Sequence, residues 1–134
     1  LRRAFAPLLA LLLVTACAAR PTAPCAEGQQ AGVLDTLYFG TARPQGVVTP
    51  ADWQHFVQEQ IAPRLPQGYT VLDAQGQWRN TDGSVAHEAS HVLQWVHADD
   101  AASDEALRQI ADRYKSQFQQ EAVLHLHSAA CYSF

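Results

Sequence analysis

The sequence predicts an α+β fold: a four-stranded antiparallel sheet with two helices on one of its faces. The first observation behind this is the order of periodicities, strand, helix, strand, strand, helix, strand, which is the split β-α-β order of ferredoxin-like domains. The second is the placement of Cys25 ahead of the first strand and Cys131 behind the last. In that topology the first and last strands are antiparallel neighbours, so the two cysteines meet, and handedness places both helices on one face.

The elements follow in order. Val33 to Phe39 is rich in β-formers and stops at Gly40. Thr41 to Thr49 is a Pro/Gly loop. Thr49-Pro50-Ala51-Asp52 offers a capping hydroxyl, a proline for the first helical position and an acid for the first turn. The helix it opens carries Trp53, Phe56, Val57, Ile61 and Leu65 at helical spacing, and Pro63 and Pro66 end it. Tyr69 to Ala74 is a second strand that can run on to Trp78, with a turn at Asn80-Thr81-Asp82-Gly83. His91 to His97 is the third strand. Asp99 or Asp100 opens a long helix with the apolar stripe Leu107, Ile110, Ala111, Tyr114 and Phe118, and Val123 to His127 is the last strand.

Ahead of this domain, Arg2 and Arg3 precede an apolar run from Leu8 to Val14 that breaks at Val14-Thr15-Ala16-Cys17. That is the order of a secretory signal, too short in its apolar part for the roughly 20 residues of a spanning helix. The cysteine after two small residues has the lipobox pattern. Residues 1–16 are therefore expected as a lipoprotein signal peptide, Cys17 as the lipidation site, 17–32 as a flexible tether and 33–134 as a single α+β domain. The rival is a plain cleaved signal with Cys17 an ordinary thiol. Resemblance to lipoprotein signals implies the outer membrane, facing the periplasm, with the lipid on Cys17 as the contact with the membrane.

Composition narrows the partners. Without Arg2 and Arg3 seven basic side chains stand against thirteen acidic ones, a net charge of −6. This argues against nucleic acid and anionic headgroups, which reward clustered Lys and Arg. With Cys17 taken by lipid, Cys25 and Cys131 are left to form a disulfide in an oxidising compartment.

The loudest motif is His87-Glu88-Ala89-Ser90-His91, a literal H-E-x-x-H. In zinc peptidases a helix puts both histidines on one face and lets the glutamate activate the bound water. Here Val85, Ala89, Val92 and Val96 keep helical spacing while Val92 to Val96 is equally good strand, so the motif is read as a solvated loop entering a strand. His91, His97, His125 and His127 put four imidazoles on one sheet, a set able to bind zinc or copper; they are read as half-exposed strand residues. Arg64, between Pro63 and Pro66, either pairs with an anionic ligand or with Glu88, or finishes a helix end. Apolar residues at both strand alternations leave the open sheet face partly greasy, so it either dimerises sheet to sheet or lines a ligand cleft, and a homodimer through that face is the expectation.

Leu37-Tyr38-Phe39-Gly40, Trp53 with Phe56, Pro63-Arg64-Leu65-Pro66-x-Gly68, Gly76-Gln77-Trp78, Glu88-x-Ser90 and Cys131-Tyr132-Ser133-Phe134, in that order, resemble the bacterial domain of unknown function 3574 family from about Leu34 to Phe134. The resemblance implies export and a common fold without supplying a reaction. Family members usually show Thr-Pro-Arg-Phe-Pro where this chain has Ala62-Pro63-Arg64-Leu65-Pro66, and a basic residue where His91 stands, so Glu88 and Ser90 look like family positions and the two histidines do not.

The expectation is a lipid-anchored envelope protein, a non-catalytic binding or interaction domain with no metal or cofactor. Its binding candidates are Tyr38, Arg64, Gln77, Trp78, Glu88 and Ser90, with Arg64, Trp78 and Glu88 expected as one polar cluster. The alternative is a zinc-dependent hydrolase through His87, Glu88 and His91.

Overall fold

The computed structural model describes residues 25–134; the expected signal segment and the expected lipidation site Cys17 lie outside the described residues. The chain runs β1 (Gln30–Gly40), β2 (Ala42–Arg43), β3 (Gly46–Val47), α1 (Pro50–Phe56), β4 (Thr70–Arg79), β5 (Val85–His97), α2 (Ala101–Phe118) and β6 (Leu124–Tyr132). The main sheet has the order β4-β5-β1-β6 with every neighbouring pair antiparallel, and both helices cover one face. This is the ferredoxin-like α+β fold. Among the described residues no helix is long and apolar enough to cross a membrane.

Alternation divides the sheet. Leu37 and Phe39 of β1 and Leu93 and Trp95 of β5 face the helices and pack with Trp53, Phe56, Leu107, Ile110 and Tyr114. Phe39 lies edge-on to Tyr114 at 4.7 Å between ring centroids and 5.3 Å from Trp53. The opposite face carries a cross-strand row, Leu72, Val92, Tyr38 and Leu124, one residue from each strand in register.

Thr49 caps α1 with a reciprocal box: its hydroxyl accepts from the Asp52 amide at 3.1 Å, and its own amide donates to Asp52 Oδ2 at 3.0 Å. Past Phe56 the helix widens into a π-helical segment, Val57–Ile61. Pro63 has no amide proton for the carbonyl four residues earlier and its ring crowds that group, so the last turn loosens before the chain leaves. The Ala62 amide reaches back to the Val57 carbonyl at 2.9 Å.

Four boundaries differ from the sequence expectation, one of them at β6, which runs to Tyr132, five residues past the expected end at His127. β1 starts at Gln30, inside the stretch expected as tether, because Ala31 and Gly32 pair with Cys131 and Ala130. Gly32 serves close approach rather than flexibility: a side chain there would run into the His97 carbonyl and the Tyr132 ring. The Thr41 to Thr49 loop contains the β2-β3 hairpin. β5 begins at Val85, six residues ahead of the expected start. A Cys25–Cys131 disulfide closes the end of the sheet where β1 begins and β6 finishes.

Fully buried Tyr114 donates its hydroxyl to the Gly40 carbonyl at 2.8 Å. Burial first, and the nearby Glu88 charge second, raise its pKa above the ordinary value of 10.0. A raised folded-state pKa gives stability that is complete below pH 10 and lost as pH climbs from the unfolded value towards the folded one. Urea melts between pH 9 and pH 11 are expected to show an alkaline loss approaching about 1.4 kcal/mol per pH unit from this group. Tyr114→Phe should lack that part of the slope, while losing about 1 kcal/mol at neutral pH with the hydrogen bond.

Candidate functional site

A cavity of about 570 Å³ opens on the uncovered sheet face, at the end opposite the disulfide. Its floor is set by register. Gly40 stands opposite Ser90, Gly76 opposite Glu88, and Trp78 opposite Ala86, so two glycines leave the surface of the sheet bare between the aromatic rings of Tyr38 and Trp78. Trp78 is 48% exposed. The β2-β3 hairpin and the chain after α2 form the rim: the Gln120 side-chain amide donates to the Ala42 carbonyl at 2.6 Å, and the Thr41 hydroxyl to the Ala89 carbonyl at 2.7 Å.

Glu88 is the fixed acid of this cavity. Its Oε2 accepts from the Ala42 amide at 2.8 Å. A Cβ at Gly40 would sit 2.7 Å from Glu88 Oε1, so the glycine is what lets the carboxylate lie against β1. At the rim, Arg43 approaches Asp52 at 3.5 Å, with its guanidinium 5.9 Å from the Phe118 ring centroid. Its buried Nε has no hydrogen-bond partner among the described residues. The site therefore offers two flat apolar surfaces, a carboxylate oxygen, a hydroxyl and an arginine donor.

Of the expected binding residues, Tyr38, Gln77, Trp78, Glu88 and Ser90 all line this cavity. Arg64 does not. It lies at the end of the π-helical segment, where it donates to the Gln60 carbonyl at 2.9 Å and to Gln109 of α2 at 3.2 Å. The expected Arg64, Trp78 and Glu88 cluster is thus corrected: Arg64 finishes a helix end, and the arginine at the cavity is Arg43. Nothing in the Ala42 to Pro44 sequence marks it, since it reaches the site only through the fold of the hairpin.

The zinc-hydrolase alternative is corrected as well. His87, Glu88 and His91 lie in β5, where four residues of extended chain separate the histidines by about 13 Å. Alternation turns Glu88 to the other side of the sheet. His91 stacks on Trp53 at 4.3 Å and bonds Asp73 Oδ1 through Nδ1 at 2.8 Å, so its ring is structural.

The other three strand histidines, His97, His125 and His127, converge on Asp35, whose side chain is wholly buried. Burial raises the Asp35 pKa, and the hydrogen bonds from His125, His97 and His127 outweigh it, holding the carboxyl below its ordinary range. Asp35 was not among the expected site residues. Its position in the alternation Val33, Asp35, Leu37, Phe39, all on the covered face, was the available signal.

Among solved structures the chain is similar to a phage SAM lyase in complex with S-methyl-5'-thioadenosine, with a TM-score of 0.58, 12% identity, and coverage of 84% of this chain and 95% of that one. It is similar to a phage SAM lyase in the apo state at a TM-score of 0.56 and 15% identity, over 78% and 89% of the two chains. CutA from Synechococcus elongatus matches at a TM-score of 0.46 and 15% identity, over 77% and 80%. At these identities the likeness is one of fold. No curated protein matches the chain. The family model described as protein of unknown function (DUF3574) matches residues 34–134, and the chain belongs to that family.

Proposed function

We propose that this chain is a lipid-anchored envelope protein whose domain binds a small ligand in the Tyr38, Trp78 and Glu88 cavity without acting on it chemically. The observation that carries the reading is a cavity of about 570 Å³ with two exposed aromatic rings beside a carboxylate held in place by a backbone amide. That volume lies in the range of small-molecule sites. The chemistry suits a flat heteroaromatic compound bearing an amine, its ring on Trp78 and its N–H groups towards Glu88.

The test follows the Trp78 indole N–H resonance by NMR during titration with adenosine, S-methyl-5'-thioadenosine and a set of other heteroaromatic amines. A saturable shift is expected for at least one of them, together with shifts at Gly40 and Gly76. Glu88→Gln should weaken that binding about tenfold, the loss of roughly 1.4 kcal/mol expected of a charge-assisted hydrogen bond. Shifts absent across the set, or unchanged by Glu88→Gln, would overturn the reading.

The envelope part rests on the lipobox order ending at Cys17, and the Cys25–Cys131 disulfide suits an oxidising compartment. Labelled palmitate should be incorporated by the wild type and not by Cys17→Ser, with the protein in the outer-membrane fraction. The half-exposed apolar residues Leu72 and Leu126, on the open face and outside the cavity lining, favour a homodimer through that part of the sheet. Light scattering should show mass rising with concentration, and Leu126→Asp should hold the domain as a monomer.

A further inference from the structure

We propose that Asp35, His125 and His127 form a binding site for one divalent transition-metal ion, on the face of the sheet opposite the cavity. Register assembles it. His127 stands directly across from Asp35, and His125 and His97 lie across from Leu37 and Val33, the positions two residues either side of it on the same face. Side chains directly and diagonally opposite are within reach of one another.

Asp35 Oδ1 accepts from His125 Nε2 at 2.7 Å and from His127 Nδ1 at 2.9 Å. The other oxygen, Oδ2, is held by His97 Nε2 at 2.7 Å. His97 is itself fixed, donating Nδ1–H to the Ala98 carbonyl at 2.7 Å and stacking on Trp95 at 3.9 Å between centroids. One oxygen is therefore clamped by a buried, anchored ring, and the clamp aims the second oxygen at two imidazoles that are 40% and 47% exposed. This is the arrangement of a metal site before loading: a ligating carboxylate oriented by an outer hydrogen bond, with the remaining ligands open to solution.

The three ligand atoms lie within 4.8 Å of one another. With metal bonds of about 2.0–2.1 Å, neighbouring ligand atoms stand roughly 2.9 to 3.4 Å apart. The two pairs at Asp35 Oδ1 need to open by a few tenths of an ångström, and the histidine pair needs only side-chain adjustment on an edge strand. An ion would replace two N–H protons and leave the exposed side for water. Two imidazoles and one carboxylate suit zinc, copper(II) or nickel and do not suit calcium or magnesium, which take oxygen ligands. This set shares no residue with the Glu88 cavity, so the two proposals fail separately.

The competing account is a polar network that only ties β6 to β1. Isothermal titration of the untagged, EDTA-treated chain with Zn²⁺ separates the two. One zinc per chain is expected, with His125→Gln or His127→Gln weakening binding at least tenfold and the double variant abolishing it. His97→Gln should weaken it about 10- to 100-fold, as loss of an outer-shell partner does. His55→Gln, in exposed α1, is the control and should bind as the wild type. Cobalt(II) should give visible absorption bands in the wild type that the double variant lacks, while far-UV circular dichroism of both proteins stays the same. Absence of one-to-one uptake, or uptake unchanged in the double variant, would overturn the site.

Discussion

Replacing Cys25 and Cys131 together with serine is expected to lower the free energy of unfolding by about 4 to 5 kcal/mol, half or more of what an ordinary small domain has. The bond joins residues 106 apart in sequence, so in the unfolded chain it removes nearly as much freedom as one crosslink can. Urea denaturation of the oxidised wild type against the serine variant checks this. The wild type under reductant should match the variant, and the transition slope should rise in both as the unfolded state expands. A difference under 1 kcal/mol would mean that the β1-β6 ladder alone holds the two ends together.

The second large effect is expected at Asp35. Asp35→Ala leaves His97, 6% exposed, without its partner and takes the common acceptor away from His125 and His127. Losing the shared acceptor strands the buried His97 Nε2 away from water and removes three hydrogen bonds to one carboxylate, a cost of about 3 kcal/mol. His127→Ala should cost less than 1 kcal/mol, since that ring is half in solvent and can rehydrate. Thermal and urea melts of both variants in metal-free buffer measure the contrast. Equal losses would show that the network has no centre.

The order of elements was legible because each carries a strong periodicity and a physical stop. Thr49 with Asp52 marks a cap, Pro63 an end, and Asp100 a second cap that the structure places on the Ser103 amide. The π-helical widening was not legible, since it answers to the strain at Pro63 and not to any pattern of its own. Val85, Ala89, Val92 and Val96 keep helical spacing while Val92 to Val96 is equally good strand; pairing with β4 from Arg79↔Val85 onward decides for strand, and pairing is invisible in one strand read alone.

The site divides in the same way. Tyr38, Trp78, Glu88 and Ser90 could be read because each stands on a strand or beside one, where alternation and family likeness carry position. Arg43 and Gln120 reach the cavity through connections whose course depends on the assembled sheet. Arg64 misled because a rigid arginine between prolines looks poised for a ligand, whereas the unfinished helix end beside it was the nearer claimant.

The disulfide and the cavity occupy opposite ends of the sheet, separated by the length of β1, eleven residues or about 33 Å of extended chain. With Cys17 anchored as proposed, the leash to Cys25 is eight residues, at most about 29 Å when fully stretched. Under that anchoring the sulfur-clasped pole would stay within about 29 Å of the point of attachment, and the mouth between Tyr38 and Trp78 would lie at the far pole of the domain.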